Sequence, residues 1–122
     1  MYKVTPLTDA ERWIVADTVK QRYGQPLDIE EAEVELRLDP HSSELTPCPA
    51  LYWAHDGVNF IISKVGDRRY RAQFFYRVHR QFGTGIDEFD DLSECAVTLL
   101  QVQADHAAQV RAEEEKAAQQ AP

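Results

Sequence analysis

The sequence predicts a two-layer α+β fold, ordered α-β-β-β-β-α, in which a four-stranded antiparallel meander carries two helices on one face. Three observations predict it. Apolar residues recur at helical spacing near both ends of the chain, over residues 9–23 and from about residue 92. Between them the period changes to two, the alternation of a half-buried strand. Asp56-Gly57 then sits between two β-rich runs, the composition of a two-residue hairpin turn.

The first helix opens on Thr8-Asp9-Ala10-Glu11, a capping box in which the Thr8 hydroxyl and the Glu11 carboxylate each accept from an orphan amide of the first turn. Apolar residues at 13, 14, 15, 16, 19 and 23 form its buried side, and Gly24 supplies the C-terminal cap. In the first strand Val34, Leu36 and Leu38 alternate with Glu33, Glu35 and Arg37. The stretch DPHSSELTPCP reads as loop. The Asp56-Gly57 hairpin pairs Trp53 with Phe60 and Leu51 with Ile62 on one face, and Tyr52 with Ile61 and Ala54 with Asn59 on the other.

At the next turn a two-residue loop would place Arg71 and Gln73 among the apolar residues, because one residue of slip carries every side chain across the sheet. A three-residue loop, Gly66-Asp67-Arg68, with a bulge, pairs Ile62 with Ala72, Phe60 with Phe74 and Val58 with Tyr76. The fourth strand then sends Tyr70, Ala72, Phe74, Tyr76 and Val78 to the core. It sends Arg69, Arg71, Gln73, Phe75, Arg77 and His79 outward, with Arg80 leading out. Gly83-Thr84-Gly85 ends it. A second helix begins near residues 87–91, with its acids at the positive end of the helix dipole, and buries Leu92, Cys95, Leu99, Val102 and His106. Residues 1–110 form one domain. Residues 111–122 are polar and helix-prone without an apolar stripe, a tail expected to fray or lack order.

The charge is uneven. The chain carries −8, yet residues 66–82 hold five arginines and one aspartate, a net +4, which leaves −12 for the rest. Six acids lie in residues 28–39 and five in residues 87–94. An overall acidic body excludes broad nucleic-acid or anionic-membrane binding, which need a basic surface. No apolar run approaches the length of a membrane helix, and the first residues lack the apolar core of a signal peptide. Two distant cysteines, Cys48 and Cys95, read as reduced thiols, Cys48 the more exposed. A cytoplasmic protein is expected.

On the outer sheet face, Tyr52, Ile61 and Gln73 form one row and Ala54, Asn59 and Phe75 the next, flanked by Arg69, Arg71, Arg77 and His79. An apolar and aromatic patch rimmed by arginines has the composition of a protein interface. Ordinary pairing would also account for the cations, with Arg71 and Arg77 answered by Glu33 and Glu35 on a neighbouring strand. Base stacking on sheet aromatics would serve RNA binding, but the body is too acidic for it.

No metal site is expected: His41, Cys48, His55, His79, Cys95 and His106 lack the close pairs of zinc sites. Neither cysteine shows a feature that would lower its pKa. Gly83-Thr84-Gly85 lacks the phosphate-binding fingerprint, and the acids after it lack the EF-hand spacing. No cofactor is implied, and catalysis is not the favoured reading. The sequence points instead to a small accessory or regulatory protein that binds another protein, or itself, through the outer sheet face or the acidic helices. Two alternatives stand beside it. One is a small-molecule-binding domain or enzyme with a pocket between sheet and helices, lined by Trp13, Trp53, Tyr70 and Tyr76. The other is an acidic mimic of nucleic acid.

Overall fold

Helix α1 spans Asp9–Tyr23 in the computed structural model, which describes residues 4–77 and 80–120. Both bonds of the capping box are made, Glu11 N–H to Thr8 Oγ1 at 3.1 Å and Thr8 N–H to Glu11 Oε1 at 2.8 Å. Gly24 closes the helix in the left-handed region at φ 73°. Five strands follow, β1 (Glu30–Leu36), β2 (Thr46–His55), β3 (Val58–Gly66), β4 (Arg69–Arg77) and β5 (Arg80–Gly83), and then helix α2 (Leu92–Gln120). The sheet is an antiparallel meander in chain order, β1-β2-β3-β4-β5. The fold is α+β, with five strands where four are expected. The extra strand arises because the chain reverses between Arg77 and Arg80, which pair with each other. Phe82 then lies beside Phe74, with ring centroids 5.3 Å apart. FYRVHRQF holds no Gly, Asn, Asp or Pro to mark that reversal. Arg80 therefore opens a strand rather than leading out of one. Val78 and His79, and the side chain of Arg77, lie outside the described residues.

The expected register holds across the central hairpins, with Trp53 on Phe60, Leu51 on Ile62, Phe60 on Phe74 and Ile62 on Ala72. Asp56 and Gly57 take φ of 52° and 77° at the tight turn, positive values that the Asp-Gly pair tolerates. The β3–β4 loop is shorter than three residues: Gly66 pairs with Arg69, leaving Asp67 and Arg68 in the turn. Val65 is the extra residue of a bulge between Lys64 and Gly66, so the bulge rather than the loop corrects the register. Strand β2 also starts earlier than its prolines suggest. Pro47 and Pro49 pair with Glu35 and Glu33 of β1, whereas β3 joins β2 only from Ala50 onward. Residues two apart turn the same way, so both missing N–H groups fall on one side of the strand, and the stretch that β3 does not reach offers a side where no ladder bond is lost.

The core lies between the sheet and the two helices. It gathers Val15 and Val19 of α1, Leu92, Cys95, Ala96, Leu99 and Leu100 of α2, and Leu51, Trp53, Phe60, Ile62, Tyr70 and Phe74 of the sheet. Phe89, just before α2, bridges to Tyr70 through two backbone bonds of 2.9 and 2.8 Å, which fixes where the second helix enters. Beyond His106, α2 remains helical to Gln120, with residues 108–119 exposed.

Candidate functional site

Register places the outer-face residues as rows. Tyr52, Ile61 and Gln73 are cross-strand partners in one row, and Ala54, Asn59 and Phe75 in the next. The helices lie against the opposite face. Tyr52, Asn59, Ile61, Gln73 and Phe75 are all half-buried. The rows are tied together by polar bonds: the Tyr52 hydroxyl donates to Asn59 Oδ1 at 2.5 Å, and Asn59 Nδ2 donates to the Phe75 carbonyl at 3.2 Å. Period-two alternation separates the neighbours Phe74, 1% exposed in the core, and Phe75, half-buried on the outer surface.

The outer face is not open throughout. In the row Ala32, Ala50, Ser63 and Arg71, both Ala50 and Ser63 are buried, and so is Cys48 beside Val34. Cys48 is thus less exposed than its loop-like sequence suggests. Burial pushes its thiol pKa up, Arg71 nearby acts in the opposite sense, and the side chain donates to the Thr46 carbonyl at 3.4 Å. Cys95, buried on the inner side of α2, has its thiol pushed up to about 12 by burial and then by Glu94. The two free cysteines therefore occupy opposite sides of the sheet.

The arginines are answered from a different direction than the sequence suggests. Glu31, Glu33 and Glu35 share the face of Leu51, Pro49 and Pro47, while Ala32, Val34 and Leu36 share the outer face. Glu33 and Glu35 therefore do not meet Arg71. Glu88, from the segment before α2, does. Arg69 holds both oxygens of Glu88 at 2.9–3.0 Å, and Arg71 reaches one of them at 3.4 Å. Arg71 and Gln73 also line a cleft of about 840 Å³ beside the apolar rows, together with Arg37, Leu38, Pro40 and the glycine segment at residues 83–85.

Two arrangements were not anticipated. Lys64, on the inner face past Phe60 and Ile62, is 4% exposed. Its ammonium donates to Glu11 Oε1 at 2.9 Å and to the Pro6 carbonyl at 3.1 Å. The Tyr70 hydroxyl donates to Glu11 Oε2 at 2.5 Å. Burial pushes the Glu11 carboxyl up, but the bonds from Tyr70, Lys64 and the Thr8 amide outweigh it and hold the pKa below the usual value. Burial, then Glu11, pushes the Tyr70 hydroxyl up. A lysine at an inward position of an apolar strand is the sequence signal for this network. The second arrangement is a ring cluster in which His106 packs against Phe74, Tyr76 and Phe82, with its Nδ1 3.0 Å from the Tyr76 hydroxyl.

Trp13, Trp53, Tyr70 and Tyr76 do not converge on a pocket. Trp13 is 66% exposed, whereas Trp53 and Tyr70 are buried in the packed core. Among the described residues no three His, Cys, Asp or Glu side chains gather where they could hold a metal ion, and no helix is long and apolar enough to cross a membrane. No family model matches this chain, and no curated protein or solved structure shows significant similarity to it.

Proposed function

We propose that this chain is a non-catalytic accessory protein that binds another protein through the outer sheet face, centred on Tyr52, Ile61, Gln73 and Phe75. One observation carries the reading. These side chains lie in adjacent cross-strand rows, half-buried and largely apolar, on the sheet face opposite the helices, with Arg71 in the next row. Aromatic and arginine side chains at the centre and edge of such a patch are the groups that dominate binding energy in protein interfaces. The dispersal of the two tryptophans and two tyrosines weakens the alternative of a ligand pocket between sheet and helices. The mimic of nucleic acid is weakened as well. Where the segments 37–40 and 83–88 meet, Arg37 and Arg71 line the cleft beside Asp87 and Glu88, and Glu88 is engaged by Arg69 and Arg71. Two unpaired buried thiols suit a reducing compartment, and a cytoplasmic location belongs to the proposal.

The test is quantitative affinity capture with the wild-type protein and the Tyr52→Ala/Phe75→Ala variant, followed by direct binding of any protein that is enriched. The expected result is a partner, or a second copy of the chain, that binds the wild type and is lost with the variant while its melting transition stays cooperative. A partner bound equally by both would overturn the proposal.

A further inference from the structure

We propose that Arg37 and Arg71 form a clamp for a carboxylate, so that the segment docked on the outer face is an extended peptide carrying an acidic side chain. The inference rests on the reading of that face as a docking surface. Both arginines line the same cleft of about 840 Å³, and Gln73 belongs at once to this cleft and to the apolar row. A chain lying on Tyr52, Ile61 and Phe75 would therefore pass directly into it.

The donors there are largely unspent. A guanidinium carries five N–H donors in a planar fork suited to a carboxylate. Among the described residues, Arg37 makes one hydrogen bond, to the Pro40 carbonyl at 2.7 Å. Arg71 makes one, to Glu88 at 3.4 Å, longer than a good N–H···O bond. Glu88 does not compete well for Arg71, because Arg69 already holds both of its oxygens at 2.9–3.0 Å. Asp87 on the far wall is exposed to water. The charged lining is balanced, Arg37 and Arg71 against Asp87 and Glu88, on a chain of −8, and Glu88 is held from outside the cleft by Arg69. The wall beyond Gln73 is the segment Gly83-Thr84-Gly85-Ile86. A Cβ added at Gly83 or Gly85 would meet no atom within 4 Å, so there is room for a second chain to approach.

The probes are three soluble decapeptides of alternating threonine and valine that differ at one central position, Glu, Gln or Lys. Each is titrated into uniformly ¹⁵N-labelled protein and followed by amide shifts. The Glu peptide is expected to move the amides of Gln73, Gly83 and Gly85 and to bind at least tenfold more tightly than the Lys peptide. Arg37→Ala should reduce its affinity to that of the Gln peptide. This variant tests the clamp without touching Glu88, and Arg71→Ala should have the same effect. Equal affinity for the Glu and Gln peptides would overturn the clamp while leaving the docking face intact, provided that Phe75→Ala still weakens both. Binding of the Glu peptide that needs Arg37 but is indifferent to Phe75→Ala would instead overturn the docking face. No shift with any peptide at millimolar concentration would overturn the clamp.

Discussion

Glu11 shows how much one side chain can carry. It caps helix α1 through the Thr8 amide, and the same carboxylate anchors Lys64 and Tyr70 from two strands. The side chains of Glu11 and Lys64 are only 11% and 5% exposed. A buried pair of this kind is costly to break, because the remaining charge has neither water nor partner. Glu11→Gln and Lys64→Met should each destabilise the fold by about 3–5 kcal/mol in urea unfolding. The pH dependence has a definite sign. The folded-state pKa of Glu11 lies below its ordinary value, so the unfolded chain takes up its proton first as pH falls. The stabilisation from Glu11 is therefore present above that value and is lost as pH falls through the lower folded value. Glu11→Gln should remove this component, so its difference from wild type should shrink as pH falls through and below the ordinary carboxylate range. A difference that stays constant would mean that the carboxylate is not ionised in the folded protein.

Strand β4 sets the two faces apart, and its residues give a sharp contrast. Phe74 is packed against Tyr76, Phe82 and His106, whereas its neighbour Phe75 lies between Asn59 and Gln81 on the outer face. Phe74→Ala should cost about 3–5 kcal/mol, as for a fully buried phenylalanine. Phe75→Ala should cost well under half of that, measured by the same unfolding curves. Equal losses would show that the outer face is packed as tightly as the core. This asymmetry was legible in the alternation of residues 69–76, and so were helix α1, its caps and the Asp56-Gly57 hairpin, because each has a local chemical signature. What was not legible depends on non-local pairing. The β4–β5 reversal carries no turn residue, and although a bulge was expected at the β3–β4 turn, its position at Val65 is defined only by the partner strand. The side chosen by the glutamates of β1 follows from the register of Glu33 on Pro49, which periodicity alone leaves open. The candidate rows of Tyr52, Ile61, Gln73 and Phe75 were readable. Their adjoining cleft was not, since residues 37–40 and 83–88 are far apart in sequence.

At the scale of the whole molecule, the sheet divides stability from surface. Its inner face, with α1, α2 and the Glu11–Lys64–Tyr70 network, holds the fold together. Its outer face is closed over Cys48, Ala50 and Ser63 and only half-buried over Tyr52, Ile61 and Phe75. The helix side also presents apolar groups, notably Trp13 on α1 and Val97 on α2 at 66% and 54% exposure. A binding role for the outer face therefore makes a positional claim that can be separated from stability. The most direct measurement is site-specific photo-cross-linking in cells, with p-benzoylphenylalanine placed at position 75 on the outer face and, separately, at position 97 on helix α2. The account predicts a discrete covalent adduct from position 75 that disappears when Tyr52→Ala is added, and none from position 97. An adduct from position 97 with none from position 75 would contradict it.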